Sequence, residues 1–197
     1  MPILGTTASG ISGNLTPPFT VTPSYESIAT VDMGGQTQFT FSGIPQTFKH
    51  LQIRTTARST INNSGYIHAS IVMRINGTGI RGAIYTSHRI YQGTGTSTGS
   101  GSTGDQEFAN GLIPSANLPA SIYGSNIFDI FDYTDNNKNT TFRILTGYDT
   151  NTNNNGLVSI SGGMLMETSD VTSISVSTDY NFAFATGSTM ALYGVKG

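Results

Sequence analysis

From residue 25 onward the apolar side chains recur at every second position in short runs, and this period of two is the pattern of a strand with one buried face. Over residues 48–58, Leu51, Ile53, Thr55 and Ala57 share one face while His50, Gln52, Arg54 and Thr56 share the other. Over residues 67–75, Ile67, Ala69, Ile71, Met73 and Ile75 line up against His68, Ser70 and Arg74. Phe39 and Phe41 alternate with Gln38 and Thr40; Tyr180, Phe182 and Phe184 mark a later strand, and Met190, Leu192, Tyr193 and Val195 the last. Clusters of Gly, Pro, Asn and Asp at 32–35, 43–45 and 135–139 read as turns. No segment holds a 3.6-residue period for three turns without Gly or β-branched residues, so almost no helix is expected. Eight or more strands with one polar face each predict an all-β fold, an antiparallel two-sheet sandwich. A jelly roll is the expected version, because its eight strands with long loops suit about 170 residues.

Two segments depart from simple alternation. Residues 127–133 (IFDIFDY) are apolar on both faces, as in a strand whose outer face meets another subunit. Ile127, Phe128, Phe131 and Tyr133 are the expected intersubunit face. Residues 93–104 (GTGTSTGSGSTG) have no apolar anchor and read as a solvated loop.

Residues 1–23 lack this alternation, which divides the chain into an extended N-terminal assembly arm (1–23) and a β-sandwich domain (24–197). Gly5, Gly10, Gly13, Pro17, Pro18 and Pro23 interrupt any regular element. Ile3, Leu4, Ile11, Leu15 and Phe19 recur between them as separate apolar points, the expected anchors of an arm lying across a neighbour. Fully extended, such an arm reaches about 75 Å, several times the ~16 Å radius of gyration of a domain this size.

Composition narrows the chemistry. Only 10% of the 197 residues are charged and the net charge is −2, which provides no basic field for a nucleic-acid backbone. Cysteine is absent, so no disulfide framework, thiolate metal site or Cys nucleophile exists. The first residues lack the basic and apolar regions of a signal peptide, and no run approaches a membrane span. His50, His68 and His88 show no metal-binding spacing, and no Gly-X-Ser-X-Gly elbow occurs. Asp129, Asp132, Glu167 and Asp170 could be paired as glycosidase carboxylates, but the chain has no Trp to line a sugar cleft. Asp149, Asn151 and Asn153 resemble the start of a calcium loop; Asn154 in place of the turn glycine and Ile160 in place of the closing Glu favour a plain Asn-rich turn. The reading is a non-enzyme with no catalytic residue, no metal and no cofactor.

The opening MPILGTTASGISG, then YESIATV, FSGIPQTFKHLQIRTTARS and the closing NFAFATGSTMALYGVKG resemble structural proteins of tailed phages, those of cyanobacteria and other aquatic bacteria in particular. FDIFDY followed by FRILTGYD fits the same pattern. The resemblance implies a virion component assembled in the host cytoplasm, of a kind labelled tail-fibre, minor structural or capsid-decorating protein, and it carries over no catalytic residue. The expectation is a capsid decoration or cement protein. Its expected partners are further copies of itself, as a homotrimer, and the major capsid protein or another virion protein, without nucleic acid or membrane. The alternative is a tail-fibre or receptor-binding tip adhering to a host surface glycan or protein. Its contact surface would be the loops at 93–104 and 149–156, with Tyr123, Tyr133 and Tyr148 available to stack on sugars.

Overall fold

A computed structural model describes residues 24–63, 65–77, 85–93, 96–103, 110–151 and 156–197. Twelve strands follow one another among the described residues: β1 (Tyr25–Asp32), β2 (Gln38–Ser42), β3 (His50–Ala57), β4 (His68–Ile75), β5 (Tyr85–Gly93), β6 (Thr96–Thr103), β7 (Asn110–Pro114), β8 (Gly124–Phe131), β9 (Thr140–Tyr148), β10 (Leu157–Leu165), β11 (Ser173–Thr178) and β12 (Thr189–Val195). They form an eight-stranded sheet in the order β1-β12-β3-β8-β9-β10-β5-β6 and a four-stranded sheet in the order β2-β11-β4-β7. Every neighbouring pair is antiparallel. Among the described residues there is no α-helix, and a single 3-10 turn spans Asp179–Asn181.

The alternating pattern explains the two layers. On β9, Phe142, Ile144, Thr146 and Tyr148 turn inward while Thr141, Arg143 and Leu145 turn outward. Leu51, Ile53, Phe128, Ile130 and Leu192 of the large sheet meet Phe41, Ile71, Met73, Ile75, Ile174 and Val176 of the small one in a single core. Burial of this order contributes roughly 1.5–3 kcal/mol per large aliphatic or aromatic side chain, and it fixes which face of each strand turns inward. β7 bridges the layers at close range: a β-carbon on Gly124 would stand 2.8 Å from Cδ of Pro114.

The sandwich expected from the sequence is present, with twelve strands split eight and four, a different distribution from the eight strands on which the jelly-roll expectation rested. Two local expectations are corrected. Within the expected loop at 93–104, Thr96–Thr103 instead forms β6 and pairs with β5 from Thr86↔Thr103 to Gly93↔Thr96. A ladder is made of backbone groups, so a strand at the sheet edge needs no apolar side chains of its own. The run Tyr180, Phe182, Phe184 is not a strand either. Asn181 has φ of 57°, which breaks the extended path, and Phe184 instead makes isolated bridges to Gly34 and Ser59. Ile3, Leu4, Ile11, Leu15 and Phe19 lie outside the described residues.

Candidate functional site

The outward face of the eight-stranded sheet gathers the unusual side chains of this molecule. One register row runs Ile90, Ile160, Leu145 and Ile127, across β5, β10, β9 and β8. Ile90 is 64% exposed, Leu145 46% and Ile160 45%, with Val158 at 61% two positions along from Ile160. At the usual strand spacing of roughly 4.8 Å these four side chains form a continuous aliphatic row about 14 Å long. Single exposed aliphatics are ordinary; an in-register row of them is the mark of a contact surface.

The next row is polar and tightly linked. Arg143 on β9 donates from Nε at 3.1 Å and Nη2 at 2.7 Å to Oδ2 of Asp129 on β8. Oδ1 of the same carboxylate accepts Nε2 of Gln52 on β3 at 2.6 Å. Oε1 of Gln52 in turn accepts Nε of Arg54 at 2.6 Å. The Arg54 guanidinium lies 5.0 Å from the ring centre of Tyr193 on β12 and 5.4 Å from that of Tyr25 on β1, within cation–π range of both. Arg54 therefore occupies a defined position although its side chain is on the exposed face.

A depression of about 400 Å³ adjoins Arg54 and Tyr193, floored by Ala191 and rimmed by Thr30, Thr56 and Thr189. It exists because Ala191, between Thr30 and Arg54 in the register, contributes only a methyl group where its neighbours carry longer side chains.

At the end of β8 a second cluster closes the turn into β9. Asp132, in the left-handed region at φ 47°, receives Lys49 Nζ at 2.9 Å on Oδ1 and Lys138 on Oδ2. Those two lysines, Lys138 first, hold its carboxyl at about 2, against the upward push of burial. The Asp132 N–H donates to Nδ1 of His50 at 2.9 Å, and the His50 ring packs edge-on against Phe131 at 5.6 Å.

The expected intersubunit residues divide between the outer sheet face and the core. Ile127 and Phe131 lie half-buried on the outer face. Phe128 and Tyr133 are each 0% exposed and pack in the chain's own core, so neither is available to a neighbour. Tyr133 Oη donates to the carbonyl of Pro45, which anchors it further. Of the tyrosines considered for sugar stacking, Tyr148 is buried beside Leu112, Leu118 and Leu157, and Tyr123 is tied by its hydroxyl to Thr186 O at 2.6 Å.

Two of the four candidate carboxylates are likewise occupied: Asp129 by Arg143 and Gln52, Asp132 by Lys49 and Lys138. Among the described residues no three His, Asp or Glu side chains come together in a metal-binding arrangement. Asp149 Oδ1 accepts the Asn151 N–H at 3.1 Å, an Asx turn, while Asn153 lies outside the described residues. His88 is exposed on β5; His68 is half-buried on β4, and burial followed by the charge of Arg89 pushes its pKa down.

Ile90, Leu145, Val158 and Ile160 escaped the reading from sequence. Ile144–Leu145 and Leu157–Val158 are adjacent apolar pairs, the same signal of a two-sided strand that drew attention to residues 127–133. No protein-family model, curated protein or solved structure matches this chain.

Proposed function

We propose that the chain is a non-enzymatic structural protein of a phage particle, a capsid decoration or cement protein that attaches to the shell and to neighbouring copies. The observation that carries this reading is the aliphatic row Ile90–Ile160–Leu145–Ile127 on the outer sheet face. Such a surface gains by being covered, at roughly 25 cal/mol per Å² of apolar area removed from water. A chain with only 10% charged residues places little electrostatic repulsion between closely packed copies. The resemblance to tailed-phage structural proteins supplies the particle, and residues 1–23 supply the attachment to the shell. Occupancy of the assembled site then stabilises the particle by mass action, without chemistry.

The test is co-sedimentation of the purified chain with empty capsids of its phage, beside an equal assay with host cells. Saturable capsid binding, lost on removal of residues 1–23 and weakened by Leu145→Lys with Ile160→Lys, is the expected result. Binding to cells alone would assign the chain to the adhesion machinery instead.

A further inference from the structure

The geometry points to a second site on the same face: Arg54 and the depression beside it bind an acidic saccharide, whose carboxylate pairs with the terminal nitrogens of Arg54. This inference does not depend on the particle to which the chain belongs. Arg54 is held from one side only. Its Nε is committed to Gln52 and its plane is fixed over Tyr193 and Tyr25, while Nη1 and Nη2 make no hydrogen bond among the described residues. A planar guanidinium with two parallel donors free is the group best matched to a carboxylate. Because the relay Arg143–Asp129–Gln52 and the two rings have already ordered the side chain, less rotamer entropy is lost when a ligand binds.

The lining selects among carboxylates. Thr30, Thr56 and Thr189 are exposed and each hydroxyl both donates and accepts, which suits the ring hydroxyls of a sugar. The floor strand β12 is paired on both sides, with β1 and with β3, so the floor offers a peptide no strand to extend, whereas a sugar needs none. A phosphate dianion would need more positive charge than the one guanidinium that lines this depression. Tyr25, 46% exposed and 5.4 Å from the Arg54 guanidinium, stands beside Arg54, where its ring can meet the apolar face of a second sugar ring.

Amide NMR titration of the full chain with glucuronic acid, glucose and a glutamate-rich peptide tests this, with calorimetry for affinity. Glucuronic acid is expected to bind saturably and to shift Tyr25, Arg54, Ala191 and Tyr193, with glucose about tenfold weaker or worse. Arg54→Lys, which keeps the charge and loses the fork, should weaken glucuronic acid about tenfold while leaving the rest of the spectrum in place. Gln52→Met should weaken it less, through a looser Arg54, and Lys196→Gln should change nothing. Equal binding of glucose and glucuronic acid, undiminished binding by Arg54→Lys, or no shift at these residues would overturn the proposal. Tighter binding of the glutamate-rich peptide at the same residues would overturn it too, in favour of a protein partner.

Discussion

Gly111 on β7 lies so close to Asn126 on β8 that a β-carbon at position 111 would overlap the Asn126 amide. Asn126 is fully buried and its Oδ1 accepts the Thr146 hydroxyl at 2.6 Å, so it has no room to retreat. Gly111→Ala should lower stability by about 1–3 kcal/mol, and adding Asn126→Ser should recover part of that loss. Urea unfolding of the two variants checks both. Equal stability of Gly111→Ala and the native chain would mean that β7 sits farther from the large sheet.

Arg58 is 8% exposed and, among the described residues, meets no carboxylate; it donates to three carbonyls, Leu118 at 2.7 Å, Pro119 at 2.8 Å and Ile122 at 3.0 Å. Arg58→Met fills similar space and strips all three acceptors of their partner. A loss of at least ~1 kcal/mol is expected, chiefly from the Leu118 carbonyl, whose bond is the buried one of the three, since an orphaned buried acceptor costs about 1–3 kcal/mol. Limited proteolysis should then cut first between residues 118 and 122, the stretch that the guanidinium ties down.

Asp132 has its carboxyl held at about 2 in the folded chain against an ordinary 3.8, principally by Lys138 and then by Lys49. A depressed carboxyl pKa stabilises the fold above the ordinary value, and that contribution is lost as pH falls through the folded value. Asp132→Asn tolerates the same left-handed backbone and removes only the charge. The Tm gap between native and variant should therefore be flat from pH 7 to about 5 and close as pH approaches 2. Both lysines are about half exposed, so added salt should narrow the gap at pH 7.

Tyr148 is the mirror case. Burial pushes its hydroxyl up to about 12 from an ordinary 10.0, so the neutral form is favoured by folding. That stabilisation is complete below pH 10 and disappears as pH rises through the folded value. Phenolate absorbance should show Tyr148 ionising late, together with the fully buried Tyr133, whose hydroxyl burial also pushes up; Tyr148→Phe should take one phenolate out of this late step and reduce the alkaline loss of Tm.

The layers were legible in the sequence because alternation is local. Leu51/Ile53 and Ile71/Met73/Ile75 declare a buried face without reference to any partner. On β8 both faces are apolar, so the strand alone could not tell that Phe128 belongs to the core and Ile127 to the outside; that depends on which side the small sheet covers. Residues 93–104 hid a strand because hydroxyls and glycines carry no face signal. The Arg54 site was beyond any spacing rule: Tyr25, Arg54 and Tyr193 meet only because the sheet order places β1, β12 and β3 side by side.

The Lys196 N–H donates to the carbonyl of Ser24 at 3.0 Å, and Lys196 Nζ reaches Glu26 at 3.2 Å. Ser24, the first described residue, thus lies beside β12, at the Tyr25↔Val195 end of the β1–β12 pair. The Asp32↔Thr189 end is roughly 23 Å away. On any support gripped by residues 1–23, the domain has a proximal and a distal pole. Cargo fused at Gly197 would crowd the anchorage, whereas a label at Thr186, in the exposed turn leading into β12, would point outward.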